Sequence, residues 1–225
     1  MGSLVSAGTA CSSRFVDSVH VILPLCPFPP VGWWRAALSD GALLDAGEHY
    51  QKRSFRNRMV LMTSNGVQTL TVPVERRGGV PRAQDEVALA LRADRGKLWR
   101  AVITAYGSAP FFEEMAPDLE SLFLSGPDTL GSWNRKSLEW SSGWMGIPVP
   151  EEVTTASQGL VDHEANFMAW SDSEAGITRW PHIWDDRGWD IPHHRLSCLD
   201  VLLHCGPEAR GRVNPLPPNG SPRRG

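Results

Sequence analysis

Apolar and polar residues alternate along the chain in two periods, and each period predicts a different kind of element. Residues 18–23 form a β-branched, apolar run that predicts a buried strand. Two further strand-like runs, 59–63 and 67–74, lie on either side of Asn65-Gly66. Asn-Gly between such runs is typical of a tight hairpin, because both residues tolerate a positive φ. The N-terminal half is therefore predicted to contain a strand followed by a β-hairpin.

Helical periodicity dominates the second half of the chain. Residues recur every three or four positions in two segments, at Leu98, Val102 and Tyr106 and at Trp133, Ser137, Trp140 and Trp144. Pro117 is expected in the first turn of a further helix that runs through Leu124, because proline is tolerated at that position. Short strands are expected over residues 87–91 and 153–156.

The helix from Cys198 to Cys205 carries clear signals at both ends. Ser197 can cap its N-terminus by accepting a backbone hydrogen bond. Gly206 follows as a residue that can adopt a left-handed conformation, and Pro207 blocks continuation. With the strands, these helices predict an α/β fold that combines a mixed sheet, an N-terminal β-hairpin and packed helices in a single domain.

The two ends of the chain differ in composition from the middle. Residues 1–17 are small and polar, and we expect a flexible leader there. Residues 209–225 are rich in proline, glycine and arginine, and we expect a disordered tail. The folded domain is therefore expected over residues 18–208.

The overall composition narrows the class of protein. Of 225 residues, 41% are hydrophobic and 21% are charged, which is typical of a globular domain. A net charge of −3 disfavours a strongly basic nucleic-acid binder, and no apolar run is long enough for a transmembrane helix. Four scattered cysteines do not make a disulfide framework. We expect a cytoplasmic protein with no nucleic-acid partner and no membrane span.

Side chains that can bind a ligand or take part in catalysis are concentrated between Asp45 and Arg58. Three arginines and a lysine fall within seven residues there, and guanidinium groups suit phosphate and carboxylate. In an extended backbone, Lys52, Arg56 and Arg58 would point to one side. The hypothesis is a site for phosphate, pyrophosphate or carboxylate. The alternative, which charge alone favours, is a solvated edge strand that leads into the hairpin.

A histidine within this block favours catalysis over simple solvation. His49 can titrate near neutral pH and act as an acid or a base. The Pro-rich loop over residues 24–30 follows the first strand, where α/β proteins place ligands, so it can be a site wall or equally a rigid connection. No dinucleotide fingerprint, P-loop or nucleophile elbow is present. The histidines and aspartates of the C-terminal third lack the HExxH spacing, so neither a metal nor a cofactor is predicted.

Six blocks of the chain agree in type and order with one known family. They are 23–30 (LP…FPP), 48–58 (EHYQKRSFRNR), 70–74 (LTVPV), 99–113 (W…AY…APFFE), 133–147, and 196–208 (LSCLDVLL…GPE). The second and the last block are specific in combination. On these residues the chain resembles the WbqC-like protein family from about residue 19 to 210, in a shorter branch that lacks an inserted α/β segment.

The resemblance implies a role in the synthesis of bacterial surface polysaccharides of the O-antigen type. It suggests an enzyme, a transferase that moves an aminoacyl or acyl group, such as glycyl, onto an activated amino sugar. A phosphate-bearing sugar or an acyl donor is then the small-molecule partner. The alternative is a non-catalytic protein that binds a phosphosugar or a protein partner in such a pathway. The oligomeric state stays open.

The resemblance and the clustering together assign the candidate site residues. His49 is the candidate general base, with Asp45 or Asp200 to set its tautomer. The candidate substrate- and phosphate-binding residues are Pro24, Phe28, Tyr50, Lys52, Arg56, Asn57, Arg58 and Tyr106. The chain departs from the family pattern at Pro27, His182 and His204, which bears on its loop contacts and its substrate.

Overall fold

Three short strands form a parallel sheet in the computed structural model, which describes residues 21–75, 81–90, 95–154 and 177–213. The strands are β1 (Ile22–Pro24), β2 (Leu43–Asp45) and β5 (Glu151–Val153), in the order β1-β2-β5. Helix α1 (Val31–Ala37) connects β1 to β2. Pro24 pairs with Asp45, and Asp45 with Val153, so the carboxyl ends of all three strands lie at the same edge.

The predicted β-hairpin is confirmed. Strands β3 (Arg58–Thr63) and β4 (Gly66–Thr71) pair antiparallel across a two-residue turn, and Gly66 adopts a φ of +95°. The hairpin is a sheet of its own and does not pair with the parallel strands. The strand expected at 87–91 is reduced to isolated bridges, at Ala88 and Leu89.

Three helices follow: α2 (Arg95–Tyr106), α3 (Phe112–Ser125) and α4 (Leu130–Met145). The expected start of the middle helix is wrong, because Pro117 lies inside α3 and not in its first turn. The apolar face that buries Met115, Leu119 and Phe123 begins before the proline, and this packing outweighs the one backbone hydrogen bond that the proline removes.

Helix α5 (Cys198–Cys205) has the predicted ends. The Ser197 Oγ accepts a hydrogen bond from the Leu199 N–H at 3.3 Å, and Gly206 has a φ of +53°. A short helix α6 (Ala209–Arg212) follows, at the start of the segment expected to be a tail. The expected leader, and the tail beyond residue 213, lie outside the described residues.

Aromatic side chains from several elements fill one core. Trp33 and Trp34 of α1, Phe123 of α3 and Trp133 of α4 are all fully buried. The α/β class, with a hairpin and packed helices in one domain, is therefore confirmed. None of the helices among the described residues has the length and apolar character needed to cross a bilayer.

Candidate functional site

The carboxyl edge of the parallel sheet carries the first group of candidate residues. Pro24 and Asp45 end neighbouring strands there, and the segments that bear the other candidates leave from this edge. Asp45 is buried, and its Oδ1 accepts a hydrogen bond from the Gly47 N–H at 3.0 Å. Ligand sites of open α/β sheets lie at this kind of edge.

The segment before β3 is not extended. The Ser54 Oγ donates to the Gln51 carbonyl at 2.7 Å and accepts from the Arg56 N–H, which begins a 3₁₀ turn over Phe55–Asn57. Arg53 adopts a φ of +63° just before it. The turn breaks the two-residue alternation, so the expected common face of Lys52, Arg56 and Arg58 is wrong. Lys52 is exposed, whereas Arg56 is buried.

Arg56 forms a buried ion pair that the sequence did not indicate. Its Nη2 donates to the Glu48 Oε2 at 2.5 Å. The other Glu48 oxygen accepts from the Leu25 N–H at 3.1 Å and from the Gln84 Nε2 at 3.0 Å. Burial raises the pKa of Glu48 to about 7 against the opposing charge of Arg56, and the nearby Asp45 carboxylate adds to the rise. Arg56 therefore has a structural role, as the buried partner of the Glu48 carboxylate.

Two buried amides complete this network. The Asn134 Nδ2 of α4 donates to the Arg56 carbonyl at 2.8 Å and to the Gln84 Oε1 at 2.7 Å. The Gln84 Nε2 also donates to the Leu25 carbonyl at 2.9 Å. The network connects three segments by hydrogen bonds: the loop after β1, the turn before β3, and helix α4. One signal in the sequence could have indicated this network. Asn134 is a polar residue that directly follows Trp133 on the apolar face of α4.

Arg58 lines a small cavity of about 130 Å³, and its charge acts on Tyr50. The cavity is lined by Arg53, Ser54, Phe55, Arg58, Val60 and Thr69. The Arg58 Nε is buried and has no hydrogen-bond partner in the part of the chain that the structure describes. Burial raises the pKa of Tyr50, while the positive charge of Arg58 opposes that rise. The cavity is therefore bordered by two guanidinium groups, which suit a small anion.

His49 is half-buried and directly precedes Tyr50 in the chain. Its backbone pairs with Ala83, and the following Tyr50 N–H donates to the Arg82 carbonyl at 2.9 Å. Within the described ranges, the His49 ring makes no hydrogen bond. Its imidazole is thus not engaged by Asp45 or Asp200.

Three other candidates have structural partners. The Asn57 Nδ2 donates to the Val72 carbonyl at 2.9 Å and so holds the hairpin. Phe28 is fully buried with a φ of +40°, and its ring stacks on Phe123 with centroids 5.5 Å apart. The Pro24 carbonyl accepts from the Trp33 Nε1 at 2.9 Å. These contacts give Asn57, Phe28 and Pro24 structural roles around the site.

Asp200 and Tyr106 belong to a second buried cluster. The Asp200 Oδ2 contacts the Tyr106 hydroxyl at 3.0 Å and the His182 Nε2 at 2.9 Å. Its Oδ1 accepts from the Trp180 Nε1 at 2.9 Å. Burial alone would raise the pKa of Asp200, but His182, His204 and Trp180 hold it below its ordinary value. Burial and the Asp200 charge raise the pKa of Tyr106 well above its usual value.

His182 and His204, two of the departures noted in the sequence, meet at this carboxylate. Their ring centroids lie 4.0 Å apart, and the His204 Nδ1 lies 2.7 Å from the Asp200 carbonyl oxygen. Burial lowers the pKa of His204. Sequence reasoning placed these histidines in a crowded C-terminal third but gave no spacing that would join them.

Comparisons with known proteins agree with the resemblance seen in the sequence. The model of the WbqC-like protein family matches residues 28–179. The uncharacterized protein Rv1507c of Mycobacterium tuberculosis is 33% identical over 120 residues, which are 51% of this chain and 52% of that protein. The match thus spans about half the length of this curated relative. No solved structure matches the chain. Since the family model covers more than half of its residues, this chain belongs to the WbqC-like protein family.

Proposed function

We propose that this protein is a transferase of surface-polysaccharide synthesis that moves an acyl or aminoacyl group, such as glycyl, onto a phosphate-bearing amino sugar. Family membership supports the proposal, because the resemblance of the sequence to this family implies that role. The observation that carries it is the cavity lined by Arg53 and Arg58, two arginines of the same basic block that holds the half-buried His49.

The cavity favours an anionic group on the substrate. Arg56 is paired with Glu48, so the proposal assigns the anion to Arg58 and Arg53, with Thr69 as a hydroxyl donor. Guanidinium groups bind phosphate through two parallel N–H bonds. A volume of about 130 Å³ suits a single phosphate group, with the rest of the sugar outside the cavity.

His49 is the proposed general base. The sugar amine attacks the carbonyl carbon of the acyl donor, so a nitrogen–carbon bond forms and the bond from that carbon to the leaving group breaks. The leaving group takes the bonding electrons. His49 accepts the proton from the amine and returns it to the leaving group, which leaves the imidazole unchanged.

Product formation tests this proposal. The purified chain is incubated with nucleotide-linked amino sugars and with glycyl or acetyl thioesters, and the sugars are analysed by mass spectrometry. We expect an acylated sugar. His49→Gln should lower kcat by about 10²–10⁴-fold. Arg58→Gln should raise KM for the phosphorylated sugar by at least about tenfold.

The control is Arg187→Gln, which removes an exposed arginine elsewhere on the surface. Its kcat and KM should equal those of the wild type. A thermal shift with these sugars but no product from any donor would favour the non-catalytic binding protein. Full activity of folded His49→Gln would contradict the assigned base.

A further inference from the structure

A cluster of two histidines and one aspartate lies outside the site described above. We propose that His182, Asp200 and His204 bind a divalent transition-metal ion of the Zn²⁺ class. Each residue offers a ligand atom within 4.8 Å of the others. Two imidazoles and a carboxylate are ligands that Zn²⁺ accepts in proteins.

The spacing of the three side chains fits such an ion. The His182 Nε2 lies 2.9 Å from the Asp200 Oδ2, and the His204 Nδ1 lies 3.6 Å from the Asp200 Oδ1. Bonds of about 2.0–2.2 Å at tetrahedral angles place ligand atoms roughly 3.3 Å apart. The observed distances, which join the two histidines to different oxygens of the carboxylate, lie on either side of that value, so small side-chain movements complete the site.

The carboxylate is already oriented by groups that do not bind metal. The Trp180 Nε1 donates to its Oδ1 at 2.9 Å, and the Tyr106 hydroxyl lies 3.0 Å from its Oδ2. The Met62 N–H donates in turn to the Tyr106 oxygen at 3.2 Å. Metal-binding carboxylates commonly have such outer partners, which fix their orientation and strengthen binding.

Three hydrogen bonds between the imidazoles and the backbone oppose the ion. The Trp184 N–H donates to the His182 Nδ1 at 3.1 Å, and the Ile183 N–H donates to the His204 Nε2 at 3.3 Å. Without metal, the ring protons therefore lie on the nitrogens that face Asp200. Metal binding moves both protons outward and breaks both bonds, and it also breaks the hydrogen bond between the His204 Nδ1 and the Asp200 carbonyl oxygen, which is 2.7 Å long. Each bond is worth roughly a factor of ten, whereas structural zinc sites have association constants above about 10⁷ M⁻¹.

The buried cluster also lies directly behind the wall of a cavity. His182 and His204 line a cavity of about 710 Å³, together with Cys205 and Glu208. Three protein ligands next to a cavity leave one position for water or another small ligand, as in catalytic zinc sites. The inference is thus a three-ligand site with one exchangeable position.

Calorimetric titration of the metal-free full chain with Zn²⁺ tests the inference. We expect one ion per chain with a Kd below about 10 µM. The double variant His182→Gln/His204→Asn, which keeps polar groups near Asp200, should bind at least 100-fold more weakly. His49→Gln, with a histidine outside the cluster, should bind like the wild type. Binding by the folded double variant as tight as that of the wild type would overturn the proposal.

A second measurement does not depend on how the double variant folds. Co²⁺ added to the wild-type chain should give visible absorption bands of a four- or five-coordinate ion, and one equivalent of Zn²⁺ should abolish them. Absence of these bands, or of stoichiometric Zn²⁺ binding, would also overturn the proposal.

Discussion

The buried carboxyl of Glu48 predicts a specific dependence of stability on pH. Its pKa is about 7 in the folded protein, against 4.5 ordinarily. Below pH 4.5 the group is neutral in both states and contributes nothing. Between pH 4.5 and 7 the folded state retains a proton that the unfolded state has lost, so the free energy of unfolding falls as the pH rises.

The size of this effect follows from the displacement of the pKa. A displacement from 4.5 to about 7 corresponds to about 3 kcal/mol, fully expressed above pH 7. In Glu48→Gln the ionisation is removed. The stability of the wild type relative to this variant should therefore fall by about 3 kcal/mol between pH 4 and pH 8.

Urea unfolding followed by tryptophan fluorescence measures this difference at several pH values. Glu151→Gln, which removes an exposed carboxyl, serves as the control and should leave the pH profile of the wild type unchanged. Parallel profiles for the wild type and Glu48→Gln would refute the reasoning. A relative gain for the wild type with rising pH would mean that the Arg56 pair outweighs burial.

Three further substitutions test the packing, each by urea unfolding. Gly206→Ala places a Cβ 2.5 Å from the Phe111 ring, at a residue with a φ of +53°, and should lower the free energy of unfolding by about 2–3 kcal/mol. Its control is Gly211→Ala, where the added Cβ meets no atom within 4 Å, and which should cost less than about 0.5 kcal/mol. Equal losses would contradict the steric argument. Ser197→Ala should cost about 1–2 kcal/mol through the lost cap and the lost hydrogen bond to the Phe28 carbonyl, and an unchanged midpoint would show that neither is needed. Asn134→Leu leaves two buried acceptors without a donor and should cost about 3 kcal/mol; a neutral effect would mean that water replaces the amide.

Local signals predicted the elements whose ends are set by nearby residues. The hairpin turns at Ser64-Asn65, one residue earlier than the predicted Asn65-Gly66, with Gly66 at a positive φ, and α5 has its ends at Ser197 and Gly206, so both elements followed from the sequence. The start of α3 did not, because tertiary packing of its apolar face outweighed the preference of Pro117 for a first turn. The parallel pairing of β2 with β5 has no local signal at all.

The candidate site was located from the sequence only in part. The basic block and His49 are contiguous, so clustering was visible. The roles within the block were not, because one 3₁₀ turn directs Arg56 inward and its partner network includes Asn134, 78 residues away in the chain. His182 and His204 likewise come together only through the fold.

The parallel sheet also determines how late in folding the last strand pairing can form. β2 and β5 are neighbours although residues 46–150 separate them, whereas the hairpin closes over two residues. Distant pairings form slowly because the entropy of loop closure opposes them, while hairpins form in about 1–10 μs. During synthesis on the ribosome, the hairpin can therefore form long before the edge that carries Asp45 is complete. The nascent chain has no finished sheet edge until β5 has emerged.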